Sequence, residues 1–288
     1  MKILYFSQFY SPENIAAAFR AADHSRIWAR VGHEVTVFTG WPNYPTGHLF
    51  DGYEMTPLWE GSIDGVRVFR SSSKIQPNTS FAKRIESGVS FIANGLKNLG
   101  RRSPVGSDYD VVLVTCGTVF SAWLGVHYAK KHHLPLVVEF RDLTYKQMMA
   151  TGSEGAKVAT MKALELSFCK AADRVVVLTD GFKKDLVEEG VPREVISVVP
   201  NGADVVACEH QWHRSLRLGY FGTMGLSQDV LVTVEYAKHL AEKGLVSSYE
   251  LIGEGAARAE LEQMMGAGDL DFLSLEHGIP MSELEARY

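Results

Sequence analysis

The chain has 288 residues, 46% hydrophobic and 22% charged, enough apolar material for one large or two ordinary globular domains. Its 29 Lys and Arg against 34 Asp and Glu leave a formal charge of -5, which excludes the broad electropositive field that nucleic-acid binding needs. The three cysteines, Cys116, Cys169 and Cys208, are dispersed and lack metal-ligand spacing, so neither a disulfide framework nor a zinc site is implied, and a reducing cytosolic setting is expected.

The opening MKILYFSQFY is too short an apolar run for a secretory signal and reads as a first β-strand, 3–7. An Ala-rich helix follows at 15–31, with Phe19, Ile27 and Trp28 as its expected apolar contacts and Gly32 as its stop. Strands are expected at 33–39 and 66–70. A helix at 80–99 places Ile85, Val89, Ile92, Leu96 and Leu99 at helical spacing, with Lys83, Arg84, Lys97, Arg101 and Arg102 around them. Strand 110–115, helix 119–131, strand 135–140, helix 155–171, strand 174–179, helix 181–189 and strand 196–199 complete a first domain over 1–200. The near-continuous apolar runs DVVLVT, PLVVEF and RVVVLT suit parallel strands covered on both faces.

Residues 201–215 lose periodicity and read as a connector. A second unit, 216–288, gives strand 216–221, helix 229–243, strand 248–253, helix 256–266, strand 271–275 and the first turn of a helix at 281–288. Three strands are too few for a finished nucleotide fold, so this unit is expected to be partial. No run of 18 apolar residues occurs, which limits any expected membrane contact to a peripheral one.

In open α/β sheets the loops after strand carboxyl ends gather around the ligand, so 7–14, 40–47, 115–118 and 141–145 are expected on one rim. The first of these loops, SQFYSPENIAA, has no glycine and cannot be the G-x-G-x-x-G turn of a dinucleotide site. It reads either as an acceptor-facing loop or as a plain connection with Glu13 or Asn14 near a helix start. Glu139, Arg141 and Asp142 stand where PLVVEF becomes a loop, and charges there are costly unless paired or functional. They form either a working set or an internal pair that steadies the rim. In the second unit Gly219, Gly222 and Gly225 bracket a strand end, with Gln228 before the next helix, where backbone N–H groups could meet a diphosphate. Gly253, Glu254 and Gly255 form a second turn of this kind. A ligand-free tight turn and a solvated Glu254 are the alternatives. His33, His127, His132 and His133 read as solvent-facing or helix-end residues, and no zinc cluster, serine triad or P-loop pattern is present.

Six ordered stretches carry a resemblance: GHEVTVFTGWPNYPTG, VVEFRDL, ADRVVVLTDGFKKDL, VVPNGAD, YFGTMGLSQ and ELIGEGAARAELE. Together they resemble the GT4 family of retaining glycosyltransferases, and within it the bacterial group that builds O-antigen and capsule with amino sugars such as N-acetyl-L-fucosamine. The likeness implies an α/β chain of GT-B type, with two Rossmann-like domains facing a cleft and the second incomplete. By resemblance, 1–200 holds the acceptor and 216–288 the nucleotide sugar. Arg141 and Asp142 match the group's RD pair and, with Glu139, are the candidate catalytic residues. Gly222, Gly225, Gln228, Gly253, Glu254 and Gly255 match the donor turns. Asn14, Asn43, Tyr44 and Tyr145 fall on the acceptor side. The implied partners are a UDP-sugar and a polyprenyl-diphosphate-linked glycan at the cytoplasmic membrane face, with no metal and no further cofactor.

Departures are visible. Leu143, Thr144, Tyr145 and Lys146 stand where the group has Leu-Trp-Pro-Glu, and 14–18 lacks the small glycines of relatives. An acidic E-x7-E segment that relatives carry after two further strands is not found, so a carboxyl-terminally truncated and inactive binding remnant is the competing expectation. For helix 80–99 the choice lies between a membrane-facing surface and an ordinary amphipathic helix packed on the sheet. A nucleotide-sugar epimerase or dehydrogenase would need a glycine fingerprint and a Tyr-x-x-x-Lys helix, and has neither.

Overall fold

A computed structural model describes residues 1–44, 46–76, 81–100, 103–202, 215–225, 228–266, 268, 270–279, 281–284 and 287. Arg101, Arg102, Cys208 and most of the expected connector lie outside these residues. The chain divides into two compact units, Met1–Ala203 and Asp204–Tyr288.

The first unit is built on an eight-stranded sheet. Its strands are β1 (Lys2–Phe6), β2 (Glu34–Thr39), β3 (Leu58–Ile63), β4 (Val66–Ser71), β5 (Val111–Thr115), β6 (Leu136–Phe140), β7 (Arg174–Val177) and β8 (Ile196–Val198). They lie in the order β3-β4-β2-β1-β5-β6-β7-β8, and every pairing is parallel except β3 with β4. Strand order reverses direction at β1, which puts a topological switch point between β1 and β5.

Alternation along β1 sends Leu4 and Phe6 to one core and Ile3 and Tyr5 to the other, so both faces are covered. One face takes α1 (Ala16–Arg30). It is Ala17, Ala18 and Ala21 that bury, while Phe19 and Ile27 are exposed and only Trp28, 5.6 Å from Tyr5, makes the expected contact. Small side chains let the helix backbone approach the sheet. The other face takes α2 (Phe81–Asn98), α3 (Val119–His132), α5 (Ala156–Ala171) and α6 (Asp180–Glu188).

The apolar spacing of α2 also misled. Leu99 is buried with Phe91, but Ile85, Val89 and Leu96 face outward. Two glycines make the inner contact instead: a Cβ on Gly88 would stand 2.2 Å from the Phe120 ring, and one on Gly95 2.4 Å from Leu124. On the inner side of α3, Gly125 rests on β5 and β1, where a Cβ would meet Val114 at 2.5 Å and Phe6 at 2.9 Å.

One strand and one α-helix went unread, besides a single 3-10 turn at Arg193–Val195. β3 closes the sheet with an antiparallel hairpin, turned by Asp64 and Gly65 at φ 51° and 80°, the mirror-image turn that an Asp-Gly pair favours. An expected all-parallel sheet is therefore a mixed one. The helix is α4 (Thr144–Ala150), expected as loop because no side chain caps it locally. Its first N–H groups are met from 20 residues away, as described below. Conversely, strand 174–179 is shorter than expected because Thr179 caps α6, accepting from the Phe182 N–H at 3.1 Å.

The second unit has β9 (Leu216–Phe221), α7 (Val230–Glu242), β10 (Val246–Ile252), α8 (Arg258–Gly266), β11 (Leu273–Glu276) and α9 (Met281–Leu284). Its three strands are parallel in the order β11-β10-β9. Leu251 and Leu261 are fully buried at its centre.

Gly125→Val tests the α3 seam. Overpacking should outweigh any gain in helix propensity and destabilise the first unit by about 1–3 kcal/mol, read as a lower urea midpoint.

Candidate active site

Loops leaving the carboxyl ends of β1 and β2 are fastened by two buried charges. Arg70, on β4, is fully buried and donates from Nη1 to the Gly40 carbonyl at 2.9 Å and from Nη2 to the Ser11 carbonyl. Its guanidinium also lies 5.7 Å from the Tyr53 ring centre and 6.0 Å from that of Trp59. Glu13 accepts the consecutive N–H groups of Asn43 and Tyr44 at 3.0 Å each, and that of Tyr10 at 3.3 Å. Burial raises the Glu13 pKa, and the three N–H groups partly offset that rise.

Asn43 and Tyr44 are thereby presented to a cavity of about 280 Å³. It lies at the switch point, lined by Gln8 after β1, Gly40 after β2 and Thr118 after β5, with Lys83, Arg84 and Phe91 of α2 on its far side. Gln8 accepts a hydrogen bond from the Thr118 hydroxyl, closing the floor between β1 and β5. Phe9 and Tyr44 meet edge to face at 5.8 Å on its wall. Asn14 is exposed on the same β1 loop. Sequence reasoning placed the loops of Gln8, Asn43, Tyr44 and Thr118 on one rim but did not single out Gln8 and Thr118, whose polar side chains after strand ends were the available signal.

The charged set at β6 falls elsewhere. Glu139 is buried beneath α1, where its Oε1 accepts from Arg20 Nη2 at 2.6 Å and Nε at 3.0 Å, and Oε2 accepts from the Tyr5 hydroxyl at 3.4 Å. Arg20 also donates to Asn201 beyond β8. Burial and then the Glu139 charge push the Tyr5 phenol well above its usual range, so it stays a donor. Arg141 donates to the Ala16 carbonyl at 3.0 Å, fixing the start of α1, and Asp142 is exposed. The internal pair that forms is Arg20 with Glu139, not Arg141 with either acid.

Tyr145 is a correction. Expected on the acceptor side, its side chain is buried in the core, because α4 turns it inward. Glu165 of α5, itself fully buried, accepts the Thr144 N–H at 3.0 Å and the Tyr145 N–H at 3.3 Å and so caps α4 across space. Burial raises the Glu165 pKa and brings the Tyr145 phenol up to about 12.

In the second unit the three strand ends are locked to one another. A Cβ on Gly253 would stand 1.9 Å from the Gly222 carbonyl oxygen, and one on Gly255 2.2 Å from that of Met224. Met224 donates to the Glu254 carbonyl at 2.8 Å, and Gln228 to that of Gly225 at 3.2 Å. These glycines thus serve backbone-to-backbone contact between turns. Arg258 adds a clamp that the sequence did not announce, donating to the carbonyls of Gly253 at 3.0 Å and Glu276 at 2.9 Å. Glu254 is exposed and paired with His277 at 2.6 Å, which lowers its pKa. Among the described residues no three His, Cys, Asp or Glu converge as metal ligands.

With this arrangement in view, comparison with known proteins is informative. Residues 16–202 match the family described as "Glycosyl transferase 4-like domain". The chain belongs to that glycosyltransferase family. It is 24% identical over 298 residues, covering 96% of this chain and 72% of the relative, to an Escherichia coli K12 protein described as "Putative colanic acid biosynthesis glycosyl transferase WcaI". The fold is similar to that of sucrose-phosphate synthase from Thermosynechococcus elongatus, with TM-score 0.69, 14% identity, and 100% and 73% of the two chains covered. It is also similar to Anabaena HepE in complex with UDP and glucose, with TM-score 0.64, 13% identity, and 97% and 70% covered. The fold is therefore of GT-B type. Both Asn43 and the Arg141-Asp142 pair lie inside the family match.

Two measurements probe the buried charges. Arg20→Met leaves Glu139 uncompensated and should cost about 3–5 kcal/mol in urea unfolding, whereas Arg20→Met with Glu139→Leu should recover much of it. An equal loss in the double variant would show the pair to be incidental. Because Glu165 has a raised folded-state pKa, the folded protein holds more protons than the unfolded one above the ordinary glutamate range. Stability should fall as pH rises through that window, and Glu165→Gln should flatten the fall relative to wild type between pH 4 and 7.

Proposed function

We propose that this chain transfers a sugar from a UDP-linked donor, with retention of configuration, to a glycan carried on a polyprenyl diphosphate at the cytoplasmic face of the membrane. One observation carries the reading: the cavity at the switch point of the first unit, with Asn43 and Tyr44 held toward it by Glu13 and with Lys83 and Arg84 on its far wall. Hydroxyl-rich rings suit aromatic walls and amide groups, and a diphosphate suits the cationic end. The colanic acid description of the Escherichia coli relative and the UDP and glucose of the Anabaena structure support the classes of acceptor and donor.

In this reading Asn14, Asn43 and Tyr44 receive the acceptor. Gly222, Gly225, Gln228, Gly253, Glu254 and Gly255 receive the nucleotide diphosphate; the N–H groups of Gly222, Gly253 and Gln228 already donate to the carbonyls of Ile252, Glu276 and Gly225 and hold the turns in place, so the contact falls to the rest of the interlocked turns. The acceptor hydroxyl adds to the anomeric carbon on the face from which UDP departs, and the leaving diphosphate takes the hydroxyl proton. Glu139, held by Arg20 and Tyr5, acts by positioning α1 rather than as a base, and Arg141 fixes the start of that helix. Asp142, exposed beside them, is the free carboxylate of the set that could meet substrate.

The test is UDP release by the purified chain from a panel of UDP-sugars, with and without a polyprenyl-diphosphate glycan. Acceptor-dependent release is expected, with Tyr44→Ala raising the acceptor KM about fivefold through loss of a ring contact. Unchanged acceptor kinetics in that variant would remove the cavity from the mechanism.

A further inference from the structure

The two glycines of α2, Gly88 and Gly95, answer to different neighbours. A glycine inside a helix is unfavourable relative to alanine, so each needs a return in packing. At Gly95 that return is the core, because its partner Leu124 is fully buried. At Gly88 the partner is Phe120, which is half-buried and lines the cavity at the switch point. The glycine therefore holds a ring at the edge of a site, where core packing alone does not account for it.

Phe120 is the second residue of α3, directly after the Thr118 cap that joins Gln8 on the cavity floor. Its backbone is set by β5 and the helix start, so the direction of the ring is what remains to be fixed. A Cβ on Gly88 would stand 2.2 Å from the ring's Cδ2, 2.3 Å from Cε2 and 2.4 Å from Cγ, so any larger residue there must swing the ring out of place. Arg84, Ser87 and Phe91, at i, i+3 and i+7 on α2, line the same cavity beside it. From the β1 and β2 loops, Phe9 and Tyr44 supply a second aromatic surface. A pyranose has a face of C–H groups and a rim of hydroxyls. The first packs on an aromatic ring, and the second suits the amides and hydroxyl of Gln8, Asn43 and Ser87.

We infer that Phe120 contacts the terminal sugar of the acceptor and, with Gly88 as its positioning residue, sets which pyranose ring the cavity admits. The inference deepens the proposed function and rests on its assignment of this cavity to the acceptor. The donor turns lie in the second unit, so a change at Phe120 alters acceptor binding and leaves the rate of the bound complex alone.

Kinetics of the full chain with the polyprenyl-diphosphate glycan test this first. Phe120→Leu removes the aromatic face while still filling the seam, and should raise the acceptor KM about fivefold with kcat unchanged within about twofold. Gly88→Ala should act in the same direction, and in the Phe120→Leu background it should add nothing to KM, because Gly88 acts through the ring. Gly95→Ala meets Leu124 in the same way away from the cavity, so it should lower the urea midpoint and leave the acceptor KM at the wild-type value. Urea midpoints of every variant confirm that the fold persists. A second reading needs no turnover. In protein carrying fluorophenylalanine, the fluorine resonance lost in Phe120→Leu should shift with methyl glycosides of glucose, galactose or N-acetylglucosamine at about 50 mM, the range in which a single weak sugar contact saturates. A resonance unmoved by all three, or a wild-type acceptor KM for Phe120→Leu in an active protein, would overturn the inference. Absence of acceptor-dependent UDP release by the wild type would instead fail the proposed function, and the fluorine titration then decides the role of Phe120 by itself.

Discussion

Arg70 reaches from inside the sheet to the carbonyls of Ser11 and Gly40, and the candidate acceptor cavity depends on that reach. Loops at the carboxyl end of a parallel sheet carry backbone groups that no ladder satisfies, yet they must sit still if their side chains are to bind anything. A fully buried guanidinium is costly unless its donors are used. Here Nη1 and Nη2 meet the two carbonyls and two aromatic faces flank the cation, while the buried Nε has no hydrogen-bond partner; withdrawing the side chain would release both loops together. Glu13 supplies the opposite sign to the same loops, taking N–H groups where Arg70 takes carbonyls.

The device recurs along the first sheet. Glu165 holds the start of α4 by two consecutive N–H groups, as Glu13 holds Asn43 and Tyr44. Arg20 and Glu139 tie α1 to β6, and Asn201 joins them from beyond β8. The second unit solves the same problem largely without buried charge. Its turns press backbone on backbone at Gly222 with Gly253 and at Met224 with Gly255, leaving Arg258 to gather the remaining carbonyls.

This division explains what was legible in the sequence. Apolar runs such as VVLVT and LVVEF announce buried parallel strands, and the strand–helix order follows from them. β3 escaped because LWEGSI alternates on a half-exposed edge, with the Trp59 ring lying over Gly61, although Asp64-Gly65 was a readable hairpin signal. α4 escaped because its cap is distant. Arg20 and Glu139 are 119 residues apart, so neither could name its partner, and the pairing sought between Glu139 and Arg141 was the local one. Tyr145 was misjudged for the same reason: its direction is set by Glu165, not by its own neighbours. The glycines of the second unit were legible as turns, while their contact with each other appears only in three dimensions.

The seam between α2 and α3 separates what must be kept from what is free to vary. Gly88 and Gly95 admit no larger side chain without displacing Phe120 or Leu124, so the inner side of α2 is fixed by sterics. Positions 85, 89 and 96 on the other side carry no such constraint. Their chemistry can be exchanged with little effect on the fold. A lineage of such chains could thus change what this outer surface presents by a few substitutions, while the strands, the buried charges and the cavity behind them pass on unchanged.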